Sequence, residues 1–169
     1  FAADRVLDVI EERRSSAFMG VPATYQLLDQ AGAQYRDLSC VRVWMTGADV
    51  MPAPLARRFK SFGASATLPL IGPIGEAAFF EGYGMVETGG GVVAKVSPPL
   101  LPVGLGDSLG MTLPGWKVRV TDHHDQPVPS GSVGELQVKG PGVLKGYHGD
   151  AAASATATIR PSSGMSAIL

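Results

Sequence analysis

At 169 residues, 45% hydrophobic and with a formal net charge of −1, the chain is long enough for one domain or for two small lobes sharing a core. No basic excess points to nucleic acid, and three histidines with one cysteine, Cys40, give neither metal-ligand spacing nor a disulfide framework. No apolar run reaches about 18 residues without charges or prolines, so no membrane span is expected.

The chain opens on Phe1, which reads as mid-chain sequence, so a fragment of a longer protein is expected. The segment from Asp4 to Arg14 turns Val6, Leu7, Val9 and Ile10 toward one side and predicts an amphipathic helix. "SAFMGVP" reads as a short buried strand ending at Pro22, and Ala23 to Gln30 as a second helix with Tyr25, Leu27 and Leu28 apolar. "VRVWMTG" is a strand that runs into a glycine turn. From Pro52 to Phe62, Leu55, Phe59 and Phe62 recur at helical spacing, with proline tolerated in the first turn. "ATLPLIG" and "AAFFEG" are two further extended runs. Strands alternating with helices predict an α/β fold with a mainly parallel sheet and flanking helices over residues 1–97.

Beyond Val96 the pattern changes. "SPPLLPVGLG" is a connector, and "KVRVTD" and "GELQVKG" alternate as half-buried antiparallel strands do. Residues 98–150 are therefore expected to form a β-rich, distorted-barrel-like lobe. Residues 151–169 form a poorly patterned tail that starts on a helical turn and ends in disorder.

The unusual passage is "FFEGYGMVETGGG", Phe79 to Gly91. Glycine costs backbone entropy, so such a cluster serves a sharp turn or a close approach to a ligand. A strand running into a glycine-rich turn is a phosphate-binding geometry. Yet Glu87 stands where a dinucleotide fingerprint would have its third glycine, and no G-x-x-x-x-G-K-[ST] occurs. Two readings stay open: a tight turn with a solvated Glu87, or a nucleotide site in which Tyr83 stacks on a base and Glu87 holds Mg2+. Elsewhere, Asp122, His123, His124 and Asp125 read as a solvated loop rather than a metal site. Trp44 and Trp116 read as core or lobe-interface residues, and Glu76 and Glu81 as exposed charges. The apolar run "LPLIGPIGEAAFF" reads equally as acyl-tunnel wall or sheet core.

"GYGMVETGG" resembles the Y-G-x-T-E signature of the adenylate-forming superfamily. "MTGADVMPAPLARRF" resembles that family's glycine-rich acyl and nucleotide loop with its following helix. "DSLGMTLPGWKVRVTDHHDQPVPSGSVGELQVKGPGVLKGYHGD" resembles its next conserved stretch, closest to fatty-acyl-CoA ligases. The resemblance runs in register from Arg42 to Asp150. It implies activation of a fatty acid with ATP to acyl-AMP, then transfer to CoA. It implies nucleotide-binding roles for Gly82, Tyr83, Gly84, Val86, Gly47, Ala48 and Asp49, Mg2+ binding by Glu87, and an acyl site at Gly47, Ala48 and Met85. It assigns no certain catalytic residue within these 169 positions. The family's phosphate loop and catalytic lysine are not matched, so the chain alone is expected to be inactive and prone to self-association through an exposed apolar face. A cytoplasmic location is expected. Val86 replaces the family's threonine, whose lost hydroxyl is worth on the order of 1.5–3 kcal/mol; either a neighbour such as Thr88 replaces it or this branch adenylates differently. A non-catalytic module on the same fold, and another α/β nucleotide-binding protein, are the alternatives.

Overall fold

The computed structural model describes residues 1–101, 103–106, 108–159 and 166–168. The chain separates into two compact units. One comprises Phe1–Tyr83 and Ala94–Gly110; the other comprises Gly84–Val93 and the chain from Met111 onward. The sequence places one change of character near residue 97. The structure instead interleaves the units, because two long strands, β5 (Ala78–Met85) and β6 (Gly90–Ser97), each run from one unit into the other. A shift in residue periodicity records composition, not which strand pairs with which.

In the first unit, helix α1 (Ala3–Arg13) buries Leu7 and Ile10. Val9 is exposed, because a step of one residue turns it about 100° away from Ile10. The helix ends on Arg14 in the left-handed region (φ 52°). The Ser15 amide bonds back to the Ile10 carbonyl at 3.0 Å, a closure that satisfies the helix's last carbonyls. Helix α2 (Pro22–Gln30) buries Tyr25 and Leu28 and leaves Leu27 exposed. Helix α3 (Ala53–Phe62) buries Ala56, Phe59 and Lys60.

Strands β1 (Ala17–Gly20), β2 (Val43–Gly47) and β5 are parallel neighbours, followed by β6. The expectation of a buried β1 is corrected: the strand is an edge, with β2 as its one neighbour among the described residues, and Met19 is 72% exposed. The run "ATLPLIG" is not a further strand of this sheet. It forms a separate antiparallel hairpin, β3 (Ala66–Leu68) with β4 (Gly72–Ile74), whose tip exposes Leu70 and Ile71. Of "LPLIGPIGEAAFF", Ala77 and Phe79 reach the core. That core centres on Tyr25. Its ring meets Phe18, Trp44 and Phe59 edge-on at centroid distances of 5.7, 6.2 and 4.9 Å. Its hydroxyl donates to the Met45 carbonyl at 2.7 Å, so a polar tip is satisfied inside an apolar cluster. Trp44 is core, as read from the sequence.

In the second unit, β6 has the short strand β7 (Met111–Thr112) as its other neighbour. Strands β8 (Lys117–Thr121) and β9 (Glu135–Lys139) pair antiparallel. Their turn is fixed by Asp122, whose carboxylate accepts the amides of His124 at 2.8 Å and Gln126 at 2.9 Å. Alternation does not translate simply into burial here: Gln137 is buried, and its side chain bonds Arg119 and Asp125. Asp150 caps helix α4 (Ala151–Ala157) by accepting the Ala153 amide at 2.8 Å. The expected disorder at the end of the chain is corrected for Ser166–Ile168. This segment forms strand β11 between β9 and β10 (Thr158–Ile159), and ladder pairing orders backbone that has no side-chain pattern. The remainder of "RPSSGMSAIL" at 160–165 and 169 lies outside the described residues.

Candidate functional site

The sequence-predicted residues fall in both units, and each group stands on its own local geometry. In the first unit, Gly47 ends β2 and is in direct register with Gly82 on β5. Gly47 therefore sits at the carboxyl end of its strand, where open α/β sheets bind ligands, and Gly82 is the last residue of β5 to pair with β2, β5 running on to Met85. A β-carbon on Gly47 would lie 2.9 Å from the Gly82 carbonyl oxygen, so glycine here is required for strand approach. Gly82 differs: its nearest neighbour would be Phe80 Cε1 at 3.5 Å, an ordinary contact. The fold alone does not demand its missing side chain.

Ala48 follows with φ +69°, a left-handed conformation that costs a non-glycine residue about 1–2 kcal/mol. Asp49 is exposed, and its carboxylate accepts the Val50 amide at 2.7 Å. Tyr83 is half-buried near the end of β5. Two residues before it, Glu81 corrects the expectation of an exposed charge. It pairs with the nearly buried Lys95 at 3.2 Å, and Lys95 also donates to the Gly106 carbonyl at 2.6 Å. Burial pushes the Glu81 carboxyl up, against the opposing pull of Lys95. Glu76 is likewise paired, with buried Lys60. In register with Glu81 lies Thr46, whose buried hydroxyl has no partner among the described residues.

In the second unit, β5 ends in a 3-10 turn over Val86–Thr88. The buried Thr88 hydroxyl builds this turn. It accepts the Met85 amide at 3.1 Å and lies 2.8 Å from the carbonyl oxygens of both Met85 and Gly90. It is therefore committed to the backbone and is not free to stand in for the hydroxyl that Val86 lacks. Val86 itself is 87% exposed. Gly84 is sterically obligatory: a β-carbon would lie 2.0 Å from the Gly90 carbonyl oxygen. Met85 is half-buried.

Glu87 is held on both sides. Its carbonyl accepts the Leu144 amide at 2.7 Å, and its carboxylate accepts the Tyr147 hydroxyl at 2.7 Å. The phenol holds the Glu87 carboxyl below its usual range, and Glu87 in turn pushes the Tyr147 phenol up. Tyr147 was not singled out from sequence; it lies 60 residues from Glu87, and only the family-like "KGYHGD" stretch marked its neighbourhood. Tyr147→Phe is expected to return the Glu87 carboxyl toward its ordinary value of 4.5, because a hydrogen bond to the charged form is lost. A side-chain carboxyl NMR titration checks this, and an unmoved midpoint would show that the phenol does not hold the carboxylate in solution.

Among the described residues no group of three or more His, Cys, Asp or Glu could cage a metal. Magnesium suits one or two carboxylates completed by phosphate oxygens and water. A single carboxylate, Glu87, held below its usual range by the Tyr147 phenol, therefore fits a magnesium ion that arrives with a phosphate ligand.

The fold is that of adenylate-forming enzymes. A long-chain-fatty-acid-CoA ligase from Archaeoglobus fulgidus superposes with a TM-score of 0.77 at 18% identity, over 99% of this chain and 33% of that one. The anthranilate CoA ligase AuaEII, solved with anthranoyl-AMP, superposes at 0.73 and 18% identity, over 99% and 32%. The family model described as AMP-binding enzyme matches residues 1–148, and the chain belongs to that family. A feruloyl-CoA synthase from Amycolatopsis sp is 34% identical over 92% of this chain. The chain spans 29% of that relative's length.

Proposed function

We propose that this chain forms part of an acyl-CoA ligase that activates a carboxylic acid with ATP and passes the acyl group to CoA. The observation that carries the reading is the Tyr83–Glu87 segment: a strand end, an obligatory glycine and a braced carboxylate, in a chain of the AMP-binding family. In the first half-reaction a carboxylate oxygen attacks the α-phosphorus of ATP, and pyrophosphate leaves. In the second, the CoA thiol attacks the acyl carbon as its proton is lost, and AMP leaves. On this reading Tyr83 stacks on adenine, while Gly82 and Gly84 let the backbone approach the α-phosphate. Gly47, Ala48 and Asp49 line the adenine and acyl side, and Met85 adds to the acyl side. Glu87 would hold Mg2+, whose chemistry is to neutralise phosphate charge. Val86 offers no hydroxyl, so any donor to the phosphate at that position is a backbone amide. The relatives named for feruloyl and fatty-acyl groups leave a carboxylic acid of aromatic or aliphatic type as the substrate class.

The test uses the longer protein that contains this chain. Glu87→Gln is expected to lower ATP–pyrophosphate exchange by roughly 10²-fold, the scale on which a lost electrostatic contact to a transferring group acts. Its unfolding midpoint should stay near that of the parent, because Glu87 is a surface turn residue. Equal exchange in variant and parent would refute the assignment. Because this chain spans a minority of its relatives' length, it is read as one part of a shared site, and the 169 residues alone are expected to give no turnover.

A further inference from the structure

The second unit carries a concentration of positive charge that the adenylation reading leaves unused. On the β8–β9 ladder Lys117 stands directly opposite Lys139, and like charges at directly opposed positions repel. Beside them opens a cavity of about 410 Å³, lined by Lys117, Lys139, Lys145 and the small or apolar Gly115, Gly140 and Val143. Among the described residues no acidic residue lines it. The next cation along β8, Arg119, is matched by Asp125 at 3.7 Å and by Gln137 at 2.8 Å. By contrast, Lys117 and Lys145 have no ion pair among the described residues. Lys139 has interactions of its own and adds charge to the same wall. In a chain of net charge −1, three cations around one cavity are not the by-product of a generally basic surface.

The cavity is also shaped. A β-carbon on Gly140 would lie 2.2 Å from Trp116 Cε3, so the indole packs directly against the backbone of the wall. Gly115, at φ +86°, turns the chain into β8. The volume falls within the usual range for small-ligand pockets of about 300–1,000 Å³. Lysine is a point-charge donor suited to phosphate.

We propose that this cavity binds a ligand carrying a pyrophosphate-type group, either free pyrophosphate or a nucleoside diphosphate. The proposal rests on the lysine cavity and not on the adenylation reading. The loop that supplies its wall, 140–147, also supplies the Leu144 amide and Tyr147 hydroxyl that hold Glu87, so occupancy bears on that carboxylate.

The test titrates the 169-residue chain with inorganic pyrophosphate and, separately, with ADP. Calorimetry and tryptophan fluorescence follow binding, with sulfate at equal ionic strength as control. Saturable binding with a fluorescence change from Trp116 is expected. Lys117→Gln with Lys145→Gln should weaken it by roughly tenfold or more, the scale of one lost charge-assisted hydrogen bond, whereas Lys117→Arg with Lys145→Arg should retain it. Both lysines are exposed, so circular dichroism should show the same fold in every variant. ADP binding more tightly than pyrophosphate would identify the nucleoside diphosphate as the ligand; the reverse order would identify the free anion. Unchanged affinity in the glutamine pair, equal binding of sulfate, or no saturable binding would each overturn the proposal.

Discussion

Lys60→Met is expected to destabilise the first unit by about 3–5 kcal/mol, the cost of breaking a buried ion pair from one side. Lys60 is 2% exposed, deep on α3. Its ammonium donates to the Ser97 hydroxyl at 2.8 Å, the Pro98 carbonyl at 2.8 Å and the Leu101 carbonyl at 3.4 Å, and pairs with Glu76 at 2.9 Å. Methionine replaces the aliphatic stem but none of these bonds. The Glu76 carboxylate, which also accepts the Leu100 amide at 2.8 Å, would lose its counterion. The segment leaving β6 would lose its fastening to α3. Urea unfolding followed by circular dichroism measures the loss. Adding Glu76→Gln should recover part of it, since the two groups are coupled and their effects are not additive. A Lys60→Met midpoint equal to that of the parent would show that Lys60 does not anchor this segment.

Lys60 also marks where sequence reading stopped. It stands in the last turn of a helix whose apolar spacing, Leu55, Phe59 and Phe62, was legible. In that position a lysine reads as a solvated cation. Its burial depends on acceptors supplied from residues 76 and 97–101, which no local window contains. The same limit explains β1. "SAFMGVP" is as apolar as an inner strand, but whether a strand is inner or edge is decided by the topology of the others. Strand β6 was missed for another reason. It opens on Gly90 and Gly91, which are poor strand formers, and the apolar residues Val92 to Ala94 that follow are too few to stand out alone. At the site, the Tyr83–Glu87 stretch could be read directly because its residues are consecutive. Tyr147, Lys95 and the cavity lysines could not, since each meets its partners only through pairing at long range. Thr88 shows the converse. The sequence offered its hydroxyl as a free donor, and the backbone of the turn consumes it.

Gly84→Ala is expected to be far more damaging than Gly82→Ala, although the two glycines flank the same tyrosine. At Gly84 the added carbon would lie 2.0 Å from the Gly90 carbonyl oxygen, 2.7 Å from its carbon and 2.8 Å from Gly91 Cα. All three are backbone atoms, so no rotamer change relieves the clash and the strand ends must part. Overpacking of this kind costs about 1–3 kcal/mol or more, and here it acts on the turn that Thr88 holds and that presents Glu87. Gly82→Ala meets only Phe80 Cε1 at 3.5 Å and Thr46 O at 4.0 Å, so its stability should stay within about 1 kcal/mol of the parent, the scale of a glycine-to-alanine change at an unstrained position. Thermal or urea unfolding of both variants separates the two costs, and a Gly84→Ala midpoint at the parental value would show that the turn tolerates the methyl. In the longer protein, ATP–pyrophosphate exchange adds the functional half. Gly84→Ala should lose it together with stability. Gly82→Ala should lose it while the fold stands, because a glycine that packing does not require is needed only where a ligand comes close to the backbone. Full exchange in Gly82→Ala would show that no ligand passes over that strand end.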